Sequence, residues 1–192
     1  MKSKKLFLDF DECMAHSFCA DDEKHADQLI DLYGEHWRGE KFMIPPSAWD
    51  MTMNQGWYAT FKRSWTDALL TFSRQLVGNE NVFILTSSTS DYIRHCNVSL
   101  ELGFDNSHIF SREDLFTHDK HPEFLDTHNV LVDNLPYRDQ CSGWVSKVSF
   151  LNTLPEPQYV KVMPFEVWHE KIGYQGEYFE NLKDRIMSAL EY

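Results

Sequence analysis

The sequence predicts an α/β fold: a parallel sheet with helices on both faces and a small insertion after the first strand. Three short apolar runs carry that prediction, Lys4 to Asp9, Asn81 to Thr86 and Asn129 to Asp133, each ending in a carboxylate or a hydroxyl. Strands buried on both faces of a parallel sheet read as near-continuous apolar runs rather than as alternating ones. Helical patterns lie between the runs, and strands that alternate with helices build a helix-covered parallel sheet.

The elements follow in chain order. Lys4 to Asp9 is the first strand, with Asp9 at its carboxyl tip. From Met14 to about Lys62 the character changes to a polar, acidic stretch, a short helix around Ala26 to Trp37, Pro45-Pro46 and a hairpin turning at Asn54-Gln55-Gly56. Residues 14–62 are therefore expected to form a cap-like insertion over the sheet edge, within a single domain covering residues 1–192. Ser64 and Asp67 have capping-box spacing, and Trp65, Ala68, Leu69, Phe72 and Leu76 then share one helical face that ends near Gly78. After the strand NVFILT comes a helix from about Ser90 to Leu102, stopped by Gly103. Asn129 to Asp133 is a third strand and Trp144 to Phe150 reads as a fourth, while Phe179, Leu182, Ile186 and Leu190 mark a closing amphipathic helix.

Composition narrows the function classes. With 192 residues and 42% hydrophobic content the chain can bury one sizeable core. A formal net charge of -12 repels phosphate backbones, which argues against broad nucleic-acid binding and requires a locally positive pocket or a bound cation for any phosphorylated ligand. Cys13, Cys19, Cys96 and Cys141 form no CxxC pair and read as free thiols of a reducing compartment. No signal-peptide core follows the basic start, and no run reaches the roughly 18 apolar residues of a spanning helix, so a cytoplasmic protein without membrane association is expected.

In open parallel sheets the carboxyl ends of the strands meet at one crevice, so Asp9, Asp11, Thr86 and Asp133 are expected to become neighbours. Two carboxylates at i and i+2 after a buried strand suit an aspartate nucleophile with a second acid placed for proton transfer. A phosphate beside them would be repelled, by roughly 4 kcal/mol for each pair of unit charges about 4 Å apart at an effective dielectric of about 20. A divalent cation removes that penalty. Mg2+ prefers oxygen ligands and commonly takes one or two carboxylates together with phosphate and water, which Asp9 and Asp133 can provide.

These residues resemble the haloacid dehalogenase (HAD) superfamily, whose first motif, DxDx[T/V], is matched by Asp9-Phe10-Asp11-Glu12-Cys13. Thr86 in VFILTSSTSDY resembles its second motif and Asp133-Asn134 in VLVDN its fourth. Within the superfamily, LDFDECMAHS, FKRSW, LTSSTSDY and VDNLP resemble, in the same order, the motifs of the RNA polymerase II C-terminal-domain phosphatases and the NLI-interacting-factor-like group. The resemblance implies a Rossmann-like, HAD-type sheet and a Mg2+-dependent phosphatase working through an aspartyl-phosphate. Asp9 would attack phosphorus and Asp11 would protonate the leaving oxygen and later activate water. Thr86 and Ser87 would hold phosphoryl oxygens, and Lys120, about a dozen residues before Asp133, would neutralise the transferring group. The metal would be held by Asp9, the Asp11 main-chain carbonyl, Asp133 and Asn134. The implied partner is a phosphorylated substrate, either a phosphopeptide or a nucleotide.

Other readings of the same residues stand beside this one. Asp9 and Asp11 could be solvated acids at a strand end, Thr86 a strand-end hydroxyl, and Lys147 or Arg112 could supply the positive charge instead of Lys120. His16, His118 and His121 match no zinc spacing, and Trp49, Trp57, Tyr58 and Trp65 fit a local core better than a recognition surface. A 5'-(deoxy)nucleotidase of the same superfamily is an alternative function. A catalytically weak binding module is another, supported by Cys13 in place of the usual Thr.

Overall fold

The computed structural model describes residues 2–34, 37–44, 56–116, 122–141, 146–151, 154–165 and 175–192. Five strands form one parallel sheet: β1 (Ser3–Leu8), β5 (Val82–Leu85), β6 (Ile109–Phe110), β7 (Thr127–Asp133) and β8 (Tyr159–Lys161). Their order is β6-β5-β1-β7-β8, so the chain grows outward from β1 on one side and resumes beside β1 on the other. The expected mixed α/β, Rossmann-like architecture is the observed one.

Side-chain alternation along β1 divides the core. Leu6 and Leu8 point into a cluster with Leu69, Ile93, Cys96, Leu182 and Ile186, which come from α2 (Thr66–Val77), α3 (Ser90–Ser99) and α7 (Gln175–Glu191). Phe7 points the other way, into an aromatic layer with Phe83, Phe110, Phe124 and Phe150. Both faces of β1 are dry from Leu6 to Leu8, which explains why that part of its sequence shows no alternation of polar and apolar residues. On that second face lie the short helices α4 (Arg112–Leu115) and α6 (Lys147–Phe150), with α5 (Tyr137–Cys141) following the end of β7.

The segment between β1 and α2 builds a separate antiparallel sheet in the order β2-β4-β3, from β2 (Ala15–Ala20), β3 (Gly39–Ile44) and β4 (Gly56–Lys62). Helix α1 (Glu23–Tyr33) packs on it through Ile30 and Tyr33, around a small core of Trp37, Ala59 and Phe61. β3 and β4 pair antiparallel, but Gly56, expected in a tight turn with Asn54 and Gln55, is instead the first residue of β4, opposite Ile44; Asn54 and Gln55 lie outside the described residues.

Several local expectations need correction. Residues Lys147–Phe150 are helical rather than part of a fourth strand, because the Ser146 side chain accepts from the Ser149 N–H and caps a turn; Trp144 lies outside the described residues. The α2 helix starts at Thr66 with Trp65 at its cap position, which makes no side-chain cap bond, so the Ser64 capping box does not frame it. Strand β2 occupies what reads in sequence as a polar loop. Helix α2 stops at Gly78 as expected, at φ 88°, whereas α3 ends at Ser99 rather than Leu102, and Gly103, at φ 72°, lies in the loop beyond it.

Candidate active site

The reversal of strand order between β1 and β7 opens a crevice at their carboxyl ends, the place where open α/β sheets bind ligands. Asp9 follows β1 directly, and its N–H donates to the Val132 carbonyl (2.9 Å), which locks the loop to β7. The chain then turns sharply. Met14 and Ala15 both donate to the Phe10 carbonyl, and Glu12 takes a left-handed conformation at φ 63°, unfavourable for a side-chain-bearing residue by about 1–2 kcal/mol.

Contacts from distant segments hold that turn. Arg63, 2% exposed, stacks on Trp65 and donates to the carbonyls of Glu12 and Met163. The Glu12 carboxylate accepts from the Phe165 N–H at 3.0 Å and pairs with His16. Partial burial opposes the charge of Glu12, but His16 and the Phe165 N–H together keep its carboxyl below the usual range. Cys13 is buried, with its thiol 3.9 Å from the Val132 carbonyl, and burial pushes that thiol well above its ordinary value. It sits behind the turn as a small packed group.

Asp9 and Asp133 meet at Lys147. The Lys147 ammonium lies 2.6 Å from Asp9 Oδ1 and 2.7 Å from Asp133 Oδ2, and all three side chains are buried, at 3%, 0% and 1% exposure for Asp9, Asp133 and Lys147. The second Asp133 oxygen accepts from the Leu135 N–H at 2.8 Å. Burial drives the Asp9 carboxyl well above the carboxylate range; Lys147 opposes that rise, and the charges of Asp133 and Asp11 reinforce it. Burial works against the charge of Lys147 too, yet the two carboxylates hold its ammonium above the ordinary lysine value. One cation between two buried anions leaves the cluster with a net negative charge.

Asp11 faces the β5 side of the crevice. Its Oδ2 accepts from the Ser88 hydroxyl and from Thr86 Oγ1 at 3.3 Å, and its Oδ1 lies 3.5 Å from the Tyr92 hydroxyl. Burial raises the Asp11 carboxyl, while the Ser88 and Thr86 hydroxyls favour its charged form. A carboxyl with a raised proton affinity and aligned donors is suited to giving and taking a proton.

The residues fit a hard divalent cation. Asn134 turns its amide inward, and the facing atom lies 3.2 Å from both Asp9 Oδ2 and the Asp11 carbonyl. As a nitrogen it donates to both. As an oxygen it completes a cluster of three oxygens, close to the spacing of about 3.0 Å between neighbouring ligands of an octahedral ion with bonds of about 2.1 Å. One amide orientation therefore serves the site without a cation and the other serves it with one. Among the described residues no group of three or more His, Cys, Asp or Glu side chains is placed to hold a metal ion.

The fold resembles that of Fcp1. One solved structure of this essential RNA polymerase II CTD phosphatase has a TM-score of 0.55 to the chain at 16% identity, covering 96% of this chain and 50% of that one. A second, fission yeast Fcp1 bound to beryllium fluoride, has a TM-score of 0.51 at 16% identity and covers 97% and 50%. The chain thus spans about half the length of the Fcp1 structures it matches. No protein-family model matches the sequence, and no curated protein does either.

Of the residues singled out in the sequence, Asp9, Asp11, Thr86, Asp133 and Asn134 gather in the crevice, while Ser87 beside Thr86 is exposed. Lys120 lies outside the described residues, as do His118, His121 and Trp49, and the ammonium in contact with the carboxylates is that of Lys147. Trp65 is buried, and Trp57 and Tyr58 are half-buried on β4. Ser88 and Tyr92 also reach Asp11, and their signal in the sequence is their place in the SSTSDY segment after Thr86. No helix among the described residues is long and apolar enough to cross a membrane.

Proposed function

We propose that the chain is a magnesium-dependent phosphatase that hydrolyses phosphomonoesters through an aspartyl-phosphate on Asp9. The observation that carries this reading is the partition of the Asp9 carboxylate, with Oδ1 against the Lys147 ammonium and Oδ2 3.2 Å from the Asn134 amide, which lies equally close to the Asp11 carbonyl. Mg2+ held by Asp9, the Asp11 carbonyl, Asn134 and the nearby Asp133 would offset the negative charge that otherwise repels a phosphate.

Asp9 attacks phosphorus and forms the acyl-phosphate bond as the bond to the leaving oxygen breaks; that oxygen takes the proton of Asp11. The Asp11 carboxylate then takes a proton from water, which attacks phosphorus, releases inorganic phosphate and restores Asp9. Lys147 opposes the burial-driven rise of the Asp9 carboxyl and so favours the ionised form that attacks, and the Thr86 hydroxyl and the Ser87 segment receive phosphoryl oxygens. Lys120 is a further cation for the transferring group. The second sheet acts as a small cap beside the crevice, supporting the Asp11 side through the Ser17 and Thr60 contacts to Tyr92.

Phosphorylated protein segments are the substrate class that the fold likeness to Fcp1 favours. The free thiols of Cys13, Cys19 and Cys96 fit a reducing, cytoplasmic setting. The test is Asp9→Asn, expected to abolish magnesium-dependent hydrolysis of an aryl phosphate while the fold survives; undiminished turnover refutes Asp9 as nucleophile. Soaking crystals with magnesium and beryllium trifluoride should attach the fluoroberyllate to Asp9. A phosphoserine peptide assayed against nucleoside monophosphates decides the substrate, and turnover confined to nucleotides removes the phosphoprotein reading.

A further inference from the structure

The Asp11 carboxylate is gripped from the β5-α3 corner by hydroxyls that the proposed chemistry does not consume. Ser88 donates to Oδ2, and the Ser88 N–H donates to Thr86 Oγ1 at 3.1 Å, which fixes the corner. On the other oxygen, Tyr92, 4% exposed, brings its hydroxyl to 3.5 Å from Oδ1. Tyr92 is itself held by two residues of the second sheet, Ser17 Oγ at 2.6 Å and Thr60 Oγ1 at 3.1 Å, and those two lie 2.9 Å apart. A buried tyrosine hydroxyl in such a network cannot swing away without leaving polar groups unsatisfied.

We infer that Ser88 and Tyr92 are positioning residues for Asp11, and that Ser17 and Thr60 extend this support into the second sheet. The inference rests on the phosphatase reading for its kinetic consequence but not for its structural one. Thr86 is needed at the phosphoryl group, so during turnover Ser88 and Tyr92 are the donors left to orient the acid toward the leaving oxygen. The hydroxyl triad joins β2, β4 and α3, so a shift of the second sheet would reach Asp11 through Tyr92.

The experiment compares Ser88→Ala, Tyr92→Phe and Ser88→Thr with the wild type in two ways. Crystal structures of the variants read the Asp11 side-chain torsion directly; rotation or disorder in the Ala and Phe variants is expected, and an unmoved carboxylate in both overturns the clamp whatever the protein catalyses. Kinetics on phosphate esters of graded leaving groups, with magnesium present, read its use. An alkyl phosphate needs its leaving oxygen protonated, so kcat/KM should fall by about 10-fold or more, part of the roughly 10²–10⁴-fold that a general acid supplies. A dinitrophenyl ester needs no proton and should lose no more than about 3-fold, and Ser88→Thr should restore alkyl-ester turnover to within about 3-fold of wild type. Equal losses on both esters overturn the positioning role. Absence of Asp9-dependent turnover in the wild type counts against the phosphatase reading instead, while the crystallographic arm still decides the clamp.

Discussion

Replacing Lys147 by Met keeps an unbranched side chain of similar length in a site where lysine is 1% exposed, and removes only the charge that joins Asp9 to Asp133. At an effective dielectric of about 20, each contact at 2.6 or 2.7 Å represents about 6 kcal/mol of attraction, most of it offset by the cost of burying three charges. Deleting one partner of such a cluster leaves two uncompensated carboxylates and costs about 3–5 kcal/mol. For a chain of this size that is a fall in melting temperature of about 6–20 °C. The pH dependence has a definite sign. Asp9 has a folded-state proton affinity above its ordinary value of 3.8, so its contribution to stability is full below that value and is lost as pH climbs through the folded-state pKa. Lys147 limits that loss, so the gap between wild type and variant should be widest at neutral pH and should narrow as pH falls toward about 4. Thermal unfolding followed by circular dichroism at several pH values measures both effects, and turnover should fall by about 10²–10³-fold. A neutral-pH melting temperature within about 2 °C of wild type would refute the claim that the cluster depends on this cation.

Other outcomes follow from the same geometry. Magnesium at about 100 times its dissociation constant should stabilise the protein by about 2.7 kcal/mol, and Asn134→Ala should weaken magnesium binding; an identical thermal-shift titration for both proteins removes Asn134 from the cation site. Native alkylation read by mass spectrometry should label the exposed Cys19 and spare buried Cys13 and Cys96, whose thiols burial pushes up; rapid labelling of Cys13 before unfolding contradicts its packed role. Gly39→Ala would set a methyl carbon 2.4 Å from the Phe61 ring and 2.8 Å from Ile30 Cδ1, at a cost of about 1–3 kcal/mol, measured as a lower urea midpoint. An unchanged midpoint there means that α1 does not seat against the second sheet as described.

The strands of the large sheet were legible because β1, β5 and β7 are dry on both faces, and dry strands announce themselves as unbroken apolar runs that end where the sheet ends. Position at the carboxyl tip then brought Asp9, Thr86 and Asp133 toward one another without any three-dimensional information. Strand β2 was illegible for the opposite reason. Its residues Ala15–Ala20 are mostly half-buried and include His16, Ser17 and Cys19, so nothing in their hydropathy separates them from a loop; the pairing partner on β4 that makes them a strand lies about 40 residues away.

Lys147 shows how a reading of local secondary structure bears on a reading of the site. The sequence from Trp144 to Phe150 reads as a strand for its apolar and β-branched residues, and in a strand with Val148 and Phe150 toward the core the lysine would not be expected among buried carboxylates. The signal pointing the other way is the serine pair three residues apart, since Ser146 accepts from the Ser149 N–H and starts a helical turn. In that turn Val148 and Phe150 enter the aromatic layer beneath the sheet, while Lys147 reaches the carboxylates. Sequence spacing alone ranks lysines by distance from Asp133, but what selects one is a backbone able to bury its stem beside two anions that repay its desolvation. The same rule applies to Ser88 and Tyr92: four residues apart across the start of α3, they matter because that helix turn presents both hydroxyls to one carboxylate, a fact of three-dimensional placement that no hydropathy pattern carries.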